Sequence, residues 1–175
     1  MPPRALLHPR HWPAWLAVGL FRLLALLPFP VLGAIGRGLG RAAHPFAGTR
    51  RKVAEINLRI CLPELDDAGR RRLLREHFAY LGQAAGCQGL SWAAPVRRLR
   101  RIIRIHNREH IDALIAAGRP VIVLVPHFVG LELGGTGFTA LVHPGMYMYQ
   151  RIRNPVIDAQ VRRGRTRFGS IPVER

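Results

Sequence analysis

Residues 118–135 read GRPVIVLVPHFVGLELGG, and the fold class turns on this stretch. The run 121–125 is wholly apolar, four of its five residues are β-branched, and it follows a Gly-Arg-Pro turn. That pattern predicts a strand buried on both faces, as in the centre of a parallel sheet. The strand would end at Pro126 with His127 immediately after it, and the apolar spacing over 129–141 predicts a helix packing back onto the sheet. His127 would then stand at the carboxyl end of a central strand, where open α/β sheets receive their ligands.

Glu132 follows five residues later. On one continuous helix that offset is about 140° around the axis, so the two side chains would not share a face. They meet only if His127 lies in the turn and Glu132 in the first turns of the helix. There the helix amino end favours a carboxylate, which would accept from one ring nitrogen and leave the other as a base. With 8 histidines and 10 acidic residues in 175 positions, chance alone supplies this offset roughly 0.5 times, so its context carries the reading. Of the eight histidines only His127 has an acid at this offset, and only it follows a buried-strand pattern. The alternative is a strand-end histidine bonded to backbone beside a solvated glutamate.

The chain carries 27 Lys and Arg against 10 Asp and Glu, a formal charge of +17, and Lys52 is its single lysine. Such an excess points to an anionic partner: nucleic acid, acidic head groups or an acidic carrier protein. Aromatic residues make up only 7% and do not interleave with the arginines as a stacking platform would require. A nucleic-acid binder would explain the charge but neither the apolar stretch 14–35 nor the run ending at His127, so no nucleic-acid partner is expected. Cys61 and Cys87 stand in no metal-binding spacing and are expected to be buried small residues, with no metal and no cofactor.

Residues 1–13 form a short, basic, Pro-rich lead-in. Residues 14–27 are apolar apart from Arg22, and the apolar character continues past Pro28 and Pro30 to Ile35. No small-x-small cleavage site follows, which counts against a signal peptide. The prolines and Arg22 interrupt a clean span and favour a short, tilted or half-inserted anchor with Arg22 reaching the head groups. A helix buried in the protein's own core is the alternative. Residues 33–46 predict a second helix, close-packed or surface-lying, so 1–46 are expected to be N-terminal membrane-associated helices and 47–175 an incomplete α/β domain.

Within that domain, helices are predicted over 49–60 and beyond the turn at 62–67. Arg97, Arg98, Arg100, Arg101 and Arg104 form the densest basic cluster, either a face for an acidic partner or a solvated one. A strand at 103–106, a helix at 109–117 and the strand at 121–125 would make one right-handed βαβ unit. Further on, a strand at 145–149 leads to a loop whose Arg151 and Arg153 would lie at the same sheet edge as His127, placed for phosphate or carboxylate. A basic helix over 156–168 and a strand from 170 close the sequence, and a sheet ending at its last new strand predicts that more chain follows. There is no G-x-S-x-G elbow and neither cysteine has a base at motif spacing, which favours direct transfer over a covalent intermediate. Backbone N–H groups around Gly130 are candidate oxyanion donors.

PHFVGLELGG, then GMYMYQRIRNPVIDAQVRRGRTRFG, with NLRICLPEL upstream and the apolar N-terminus, together resemble the bacterial lipid A biosynthesis acyltransferase family. These are the late lauroyl and myristoyl transferases within the wider glycerolipid acyltransferase superfamily. The resemblance covers essentially the whole chain. It implies an O-acyltransferase on the cytoplasmic face of the inner membrane, moving a fatty acyl group from acyl carrier protein to a hydroxyl of an anionic lipid A precursor. It implies a His127–Glu132 catalytic dyad, and a substrate-binding block at Arg151, Arg153 and Asn154. Members continue well beyond this point, with a further strand and an acidic Pro-Asp turn that have no counterpart here, so the chain is expected to be truncated. Another lipid acceptor (a lysophospholipid, a glycolipid mannoside or an aminolipid) and an inactive membrane-associated fragment are the alternatives.

Overall fold

The computed structural model describes residues 4–174, so the first three residues of the expected lead-in, and Arg175, lie outside it. Two 3₁₀ turns lead into α1 (Trp12–Leu24), followed by α2 (Phe29–Ala43), α3 (Gly48–Cys61), α4 (Asp67–Gly86), α5 (Gln88–Ala93) and α6 (Val96–Ile102). Then come α7 (Glu109–Ala116), α8 (Leu131–Leu141), β1 (Met146–Tyr149), α9 (Pro155–Thr166) and β2 (Ile171–Glu174). Local chemistry sets several of these boundaries. Asp66 Oδ1 accepts from the Gly69 N–H at 2.7 Å and opens α4. Asn154 Oδ1 accepts from the Val156 and Ile157 N–H groups at 3.0 and 3.2 Å, with Pro155 at the first helical position, and opens α9. Beyond α7 and α9 the chain turns through Gly118 and Gly169, whose φ values of 64° and 89° suit glycine.

Packing divides the chain into two compact units: one takes the chain through Ala25 and again from Gln88, and the other is Leu26–Cys87. The core of the first gathers Leu6, Val18, Trp92, Val156 and Val161, with Phe21 edge-on to Trp92 at 5.6 Å between ring centres. Here α1 packs on α5 and α9, and Arg22 donates to Gln160 Oε1 at 2.7 Å. The second unit is built on α4, against which both α2 and α3 pack.

The described residues are mostly helical, which corrects the expected sheet-rich architecture. Their sheet has two parallel strands, β1 and β2, with Met146 opposite Ile171 and Tyr149 opposite Glu174, and α9 is the crossover between them. The expected central strand at 121–125 is not formed, and neither is the strand at 103–106. Among the described residues, none of 120–127 makes a backbone hydrogen bond. Ile122 and Leu124 are 98% and 94% exposed while Val121, Val123 and Val125 are 38–48% exposed. That alternation has the two-residue period of extended backbone, but a strand also needs neighbours for its N–H and C=O groups, and apolar composition cannot supply them.

The expected N-terminal anchor is corrected in part. No helix among the described residues is long and apolar enough to cross a membrane. In α1 the inner face is committed to the core through Val18, 2% exposed, and Arg22, though exposed, is engaged with Gln160. Trp12, Leu16, Leu20 and Leu23 form its exposed face. Cys87 is buried as expected, while Cys61 is exposed.

Glycines let α2 and α4 approach backbone to backbone. A Cβ on Gly40 would come within 2.1 Å of the Phe78 carbonyl oxygen, and one on Gly82 within 2.2 Å of the Gly36 carbonyl oxygen. Gly38, on the exposed side of the same α2, has nothing within 4 Å of its Cβ position. The two positions therefore separate helix propensity from packing. Gly40→Ala is expected to destabilise the protein by about 1–3 kcal/mol through overpacking, whereas Gly38→Ala is neutral or stabilising by up to about 1 kcal/mol. Denaturant midpoints of the two variants check this, and equal shifts would refute the close approach.

Candidate active site

β1, α8 and α9 meet at one cluster, and the spacing of residues on each element explains it. Tyr147 and Tyr149 are two apart on a strand and so share a face. Asp158, Arg162 and Arg165 lie at intervals of four and three on α9 and so share a stripe. The stripe faces the tyrosines: the Arg165 guanidinium lies 5.5 Å from the Tyr147 ring centre and 5.9 Å from that of Tyr149, and Arg162 is also 5.9 Å from Tyr149. The other side of α9, with Val156, Gln160, Val161 and Gly164, is buried.

Glu132 enters this cluster from the first turn of α8, where the helix dipole favours its negative charge. Its carboxylate accepts from Arg165 Nε at 3.2 Å through Oε2, and from Arg165 Nη2 through Oε1. This is a two-pronged fork. Both side chains are about one-third exposed, at 30% and 32%. Burial alone would lower the Arg165 pKa, but the hydrogen bond and charge of Glu132 outweigh it and hold the guanidinium above its ordinary value. A carboxylate offers about four lone-pair sites and the fork occupies two, so Glu132 keeps acceptor capacity for a further donor.

Asp158 ties the turn after β1 to α9. Its Oδ1 accepts from the Ile152 N–H at 2.7 Å and from the Tyr149 hydroxyl. Burial first, then the hydrogen bond and charge of Asp158, push the Tyr149 phenol up to about 12 from 10.0. Burial likewise raises Tyr147.

His127 lies exposed in the irregular segment before α8 and has no hydrogen bond or ion pair among the described residues. It does not touch Glu132 in this arrangement. Its neighbour Phe128 folds over the start of α8, where a Cβ on Gly130 would lie 3.0 Å from Phe128 Cε2 and one on Gly134 would lie 3.6 Å from Cζ. Gly130 is the residue capping α8; the Leu131 N–H is taken by the Phe128 carbonyl at 3.1 Å, while those of Glu132 and Leu133 have no backbone acceptor among the described residues. Free donors at a helix start are the anion-facing kind.

The three residues of the expected substrate block differ in their contacts. Arg151 pairs with Glu174, its Nη2 donating to Oε2 at 3.1 Å, and that bond and charge raise its pKa. Arg153 is exposed without a partner among the described residues, and Asn154 serves as the α9 cap. No three His, Cys, Asp or Glu side chains among the described residues gather as they would around a metal ion. Arg165, Tyr147, Tyr149 and Asp158 escaped the sequence reading. The 158–162–165 stripe opposite a Tyr-x-Tyr strand was the signal for them.

The profile of the family described as bacterial lipid A biosynthesis acyltransferase matches residues 3–175. Among curated proteins, the chain is 36% identical to the lipid A biosynthesis lauroyltransferase of Escherichia coli K12 and 33% identical to the palmitoleoyltransferase of the same strain. Each match covers 98% of this chain and 56% of the relative. The lipid A biosynthesis myristoyltransferase of that strain is 30% identical over 93% of the chain and 50% of its own length. The chain thus spans about half the length of the curated relatives it matches. No solved structure matches it.

Tyr149 provides a test of the cluster. Because its folded-state pKa is raised, the neutral phenol's contribution to stability is whole below about pH 10 and lost as pH rises through about 12. In Asp158→Asn, tyrosinate absorbance is expected to develop at lower pH than in the parent while burial still holds it above the ordinary range. Superimposable titrations would show that Asp158 does not act on Tyr149.

Proposed function

The chain belongs to the bacterial lipid A biosynthesis acyltransferase family, and on that premise we propose that the whole protein is an O-acyltransferase moving a fatty acyl group from acyl carrier protein to a hydroxyl of a lipid A precursor at the cytoplasmic face of the inner membrane. The observation that carries the reading is the Glu132 carboxylate, fixed by Arg165 at the start of α8 with lone pairs to spare, five residues beyond an unencumbered His127. In this reading residues 1–46 serve attachment and the reaction is carried out within 47–175.

Closure of the segment 119–128 brings the His127 ring to Glu132. The carboxylate then accepts from one ring N–H and leaves the other nitrogen to take the proton of the acceptor hydroxyl. The hydroxyl oxygen attacks the thioester carbonyl, forming the ester C–O bond. As the C–S bond breaks, the imidazolium returns its proton to the departing thiolate. Carbonyl charge develops near the free N–H groups at the α8 start, around Gly130. Arg151, Arg153 and Asn154 flank the approach of the anionic lipid, with Arg153 available as it stands.

The acidic carrier is assigned to α6. Leu99 is fully buried, and Ile103 lies so close to α8 that a Cβ on Gly137 would be 2.6 Å from its Cδ1. These two apolar anchors hold a short helix whose Arg97, Arg100 and Arg101, with Arg104 just beyond, are exposed and form no ion pair among the described residues. Within α6 itself no large apolar side chain is exposed, the first being Ile105 just beyond Arg104, and such a charged face suits an acidic protein surface.

Transfer of labelled acyl groups from acyl carrier protein to a Kdo-bearing lipid A precursor, by membranes holding the whole protein, is the test. His127→Ala is expected to lower the rate roughly 10²–10⁴-fold, the usual worth of a general base; near-normal transfer would sink the mechanism. Joint reversal of Arg100 and Arg101 to Glu is expected to raise the KM for carrier roughly tenfold and to flatten its salt dependence, leaving kcat unchanged. Carrier affinity indifferent to ionic strength in the parent would refute the assignment of α6.

A further inference from the structure

The outer face of α3 pairs aliphatic side chains with cations in a way no part of the reaction uses. Taking 100° per residue, Val53, Ile56 and Ile60 fall within an arc of about 60°, and they are 51%, 54% and 71% exposed. Phe46, in the 3₁₀ turn just before the helix, is 89% exposed. Cations border the stripe on both sides: Lys52 and Arg59 on one flank and Arg50 on the other, about 40–60° from its nearest members, and all three are exposed. The single acid of the helix, Glu55, falls on the opposite side with Arg51, Ala54 and Leu58, the half-buried residues that pack toward α4. No acidic residue lies on the outer face.

We propose that α3 lies flat in the head-group layer of an anionic bilayer, with Val53, Ile56 and Ile60 among the upper acyl chains and Arg50, Lys52 and Arg59 at the phosphates. Each half of the pattern points the same way. A narrow aliphatic stripe reaches the depth an interfacial helix needs, roughly 5–10 Å into the boundary. Long cationic side chains at its borders lay their methylenes along the apolar layer and lift their charges to the phosphate plane. An acidic protein would pair with the cations but leave three aliphatic side chains without a pocket. The arrangement differs from α6, whose outer face is charged without apolar residues. The inference rests on the geometry of α3 alone and is independent of the acyl-transfer reaction.

A polarity-sensitive dye on Ile60→Cys, in a Cys61→Ser background with buried Cys87 left in place, reads this site directly. The full chain is mixed with vesicles of phosphatidylcholine alone or of phosphatidylcholine with phosphatidylglycerol. Blue-shifted emission is expected on the anionic vesicles, with quenching by acyl-chain-attached quenchers and little response to the zwitterionic ones. Val53→Asp and Ile56→Asp, both at exposed positions, are expected to weaken the vesicle-dependent shift roughly tenfold each while leaving helical circular dichroism intact. Vesicles that sediment with the chain while the dye stays in water would overturn the proposal and leave membrane attachment through another segment standing. A blue shift without lipid that grows with protein concentration would assign the face to a second copy, and an equal shift on both vesicle types would remove the role of the cations; either result overturns it.

Discussion

A carboxylate in the first turn of α8 and a guanidinium in the last turn of α9 meet across 33 residues of chain. Both helix dipoles favour this arrangement, since the amino end of α8 stabilises Glu132 and the carboxyl end of α9 stabilises Arg165. Solvent reaches about a third of each side chain, so screening tempers the pair and its role is positional more than energetic. It fixes where a negative charge sits relative to the backbone entering α8. Only arginine serves here, because a lysine ammonium could neither fork to two oxygens nor spread over two tyrosine rings.

The tyrosines make that position durable. Tyr149, 4% exposed, covers one side of the guanidinium and is itself held by Asp158, which also binds the Ile152 N–H. The strand, the turn that follows it and the next helix are thereby joined through one carboxylate. Arg167 extends the same logic at the far end of α9, donating to the Ala94 and Leu90 carbonyls at 2.7 and 3.2 Å. The Leu90 carbonyl, near the carboxyl end of the short α5, also accepts from the Ala94 N–H at 3.0 Å, so Arg167 adds a second donor there and supplies a donor to the Ala94 carbonyl just past the helix. Burial lowers the pKa of Arg167, yet its site supplies backbone dipoles in place of water.

What the sequence discloses depends on how local the determining interaction is. The bounds of α3, α7, α8, β1, α9 and β2 fall close to the expected ones, because caps, glycine turns and apolar periods lie within a few residues of the elements they define. The run 121–125 misled because a strand is a relation between segments: its β-branched residues give extended chain, and the pairing partners are a separate matter. The apolar stretch near the N-terminus misled in a different way. Part of its hydrophobicity is spent inside the protein, Val18 in one unit and Leu32 in the other, and a hydropathy reading cannot tell an internal face from an outward one. Glu132 was legible from its spacing to His127, but its actual partner was hidden among arginines at 162, 163, 165 and 167. Only the three-dimensional approach of Tyr147 and Tyr149 singles out the one at 165.

With 27 basic and 10 acidic side chains, internal pairing cannot absorb the charge, and the structure shows how the remainder is distributed. Some arginines are engaged with neutral oxygens: Arg22 with Gln160, Arg37 with Gln83, and Arg167 with carbonyls. These serve packing and add nothing to recognition. The outward cations fall on faces of different character. On α6 they stand on a helix pinned by Leu99 that exposes no large aliphatic side chain of its own, whereas on α3 they border Val53, Ile56 and Ile60. Charge alone attracts any polyanion; the apolar residues between the charges decide whether the ion that arrives belongs to a protein surface or to a bilayer. The reaction we propose, from an acidic carrier to a membrane lipid, would call for one face of each kind, and uniform basicity would let the two anions compete for the same surface.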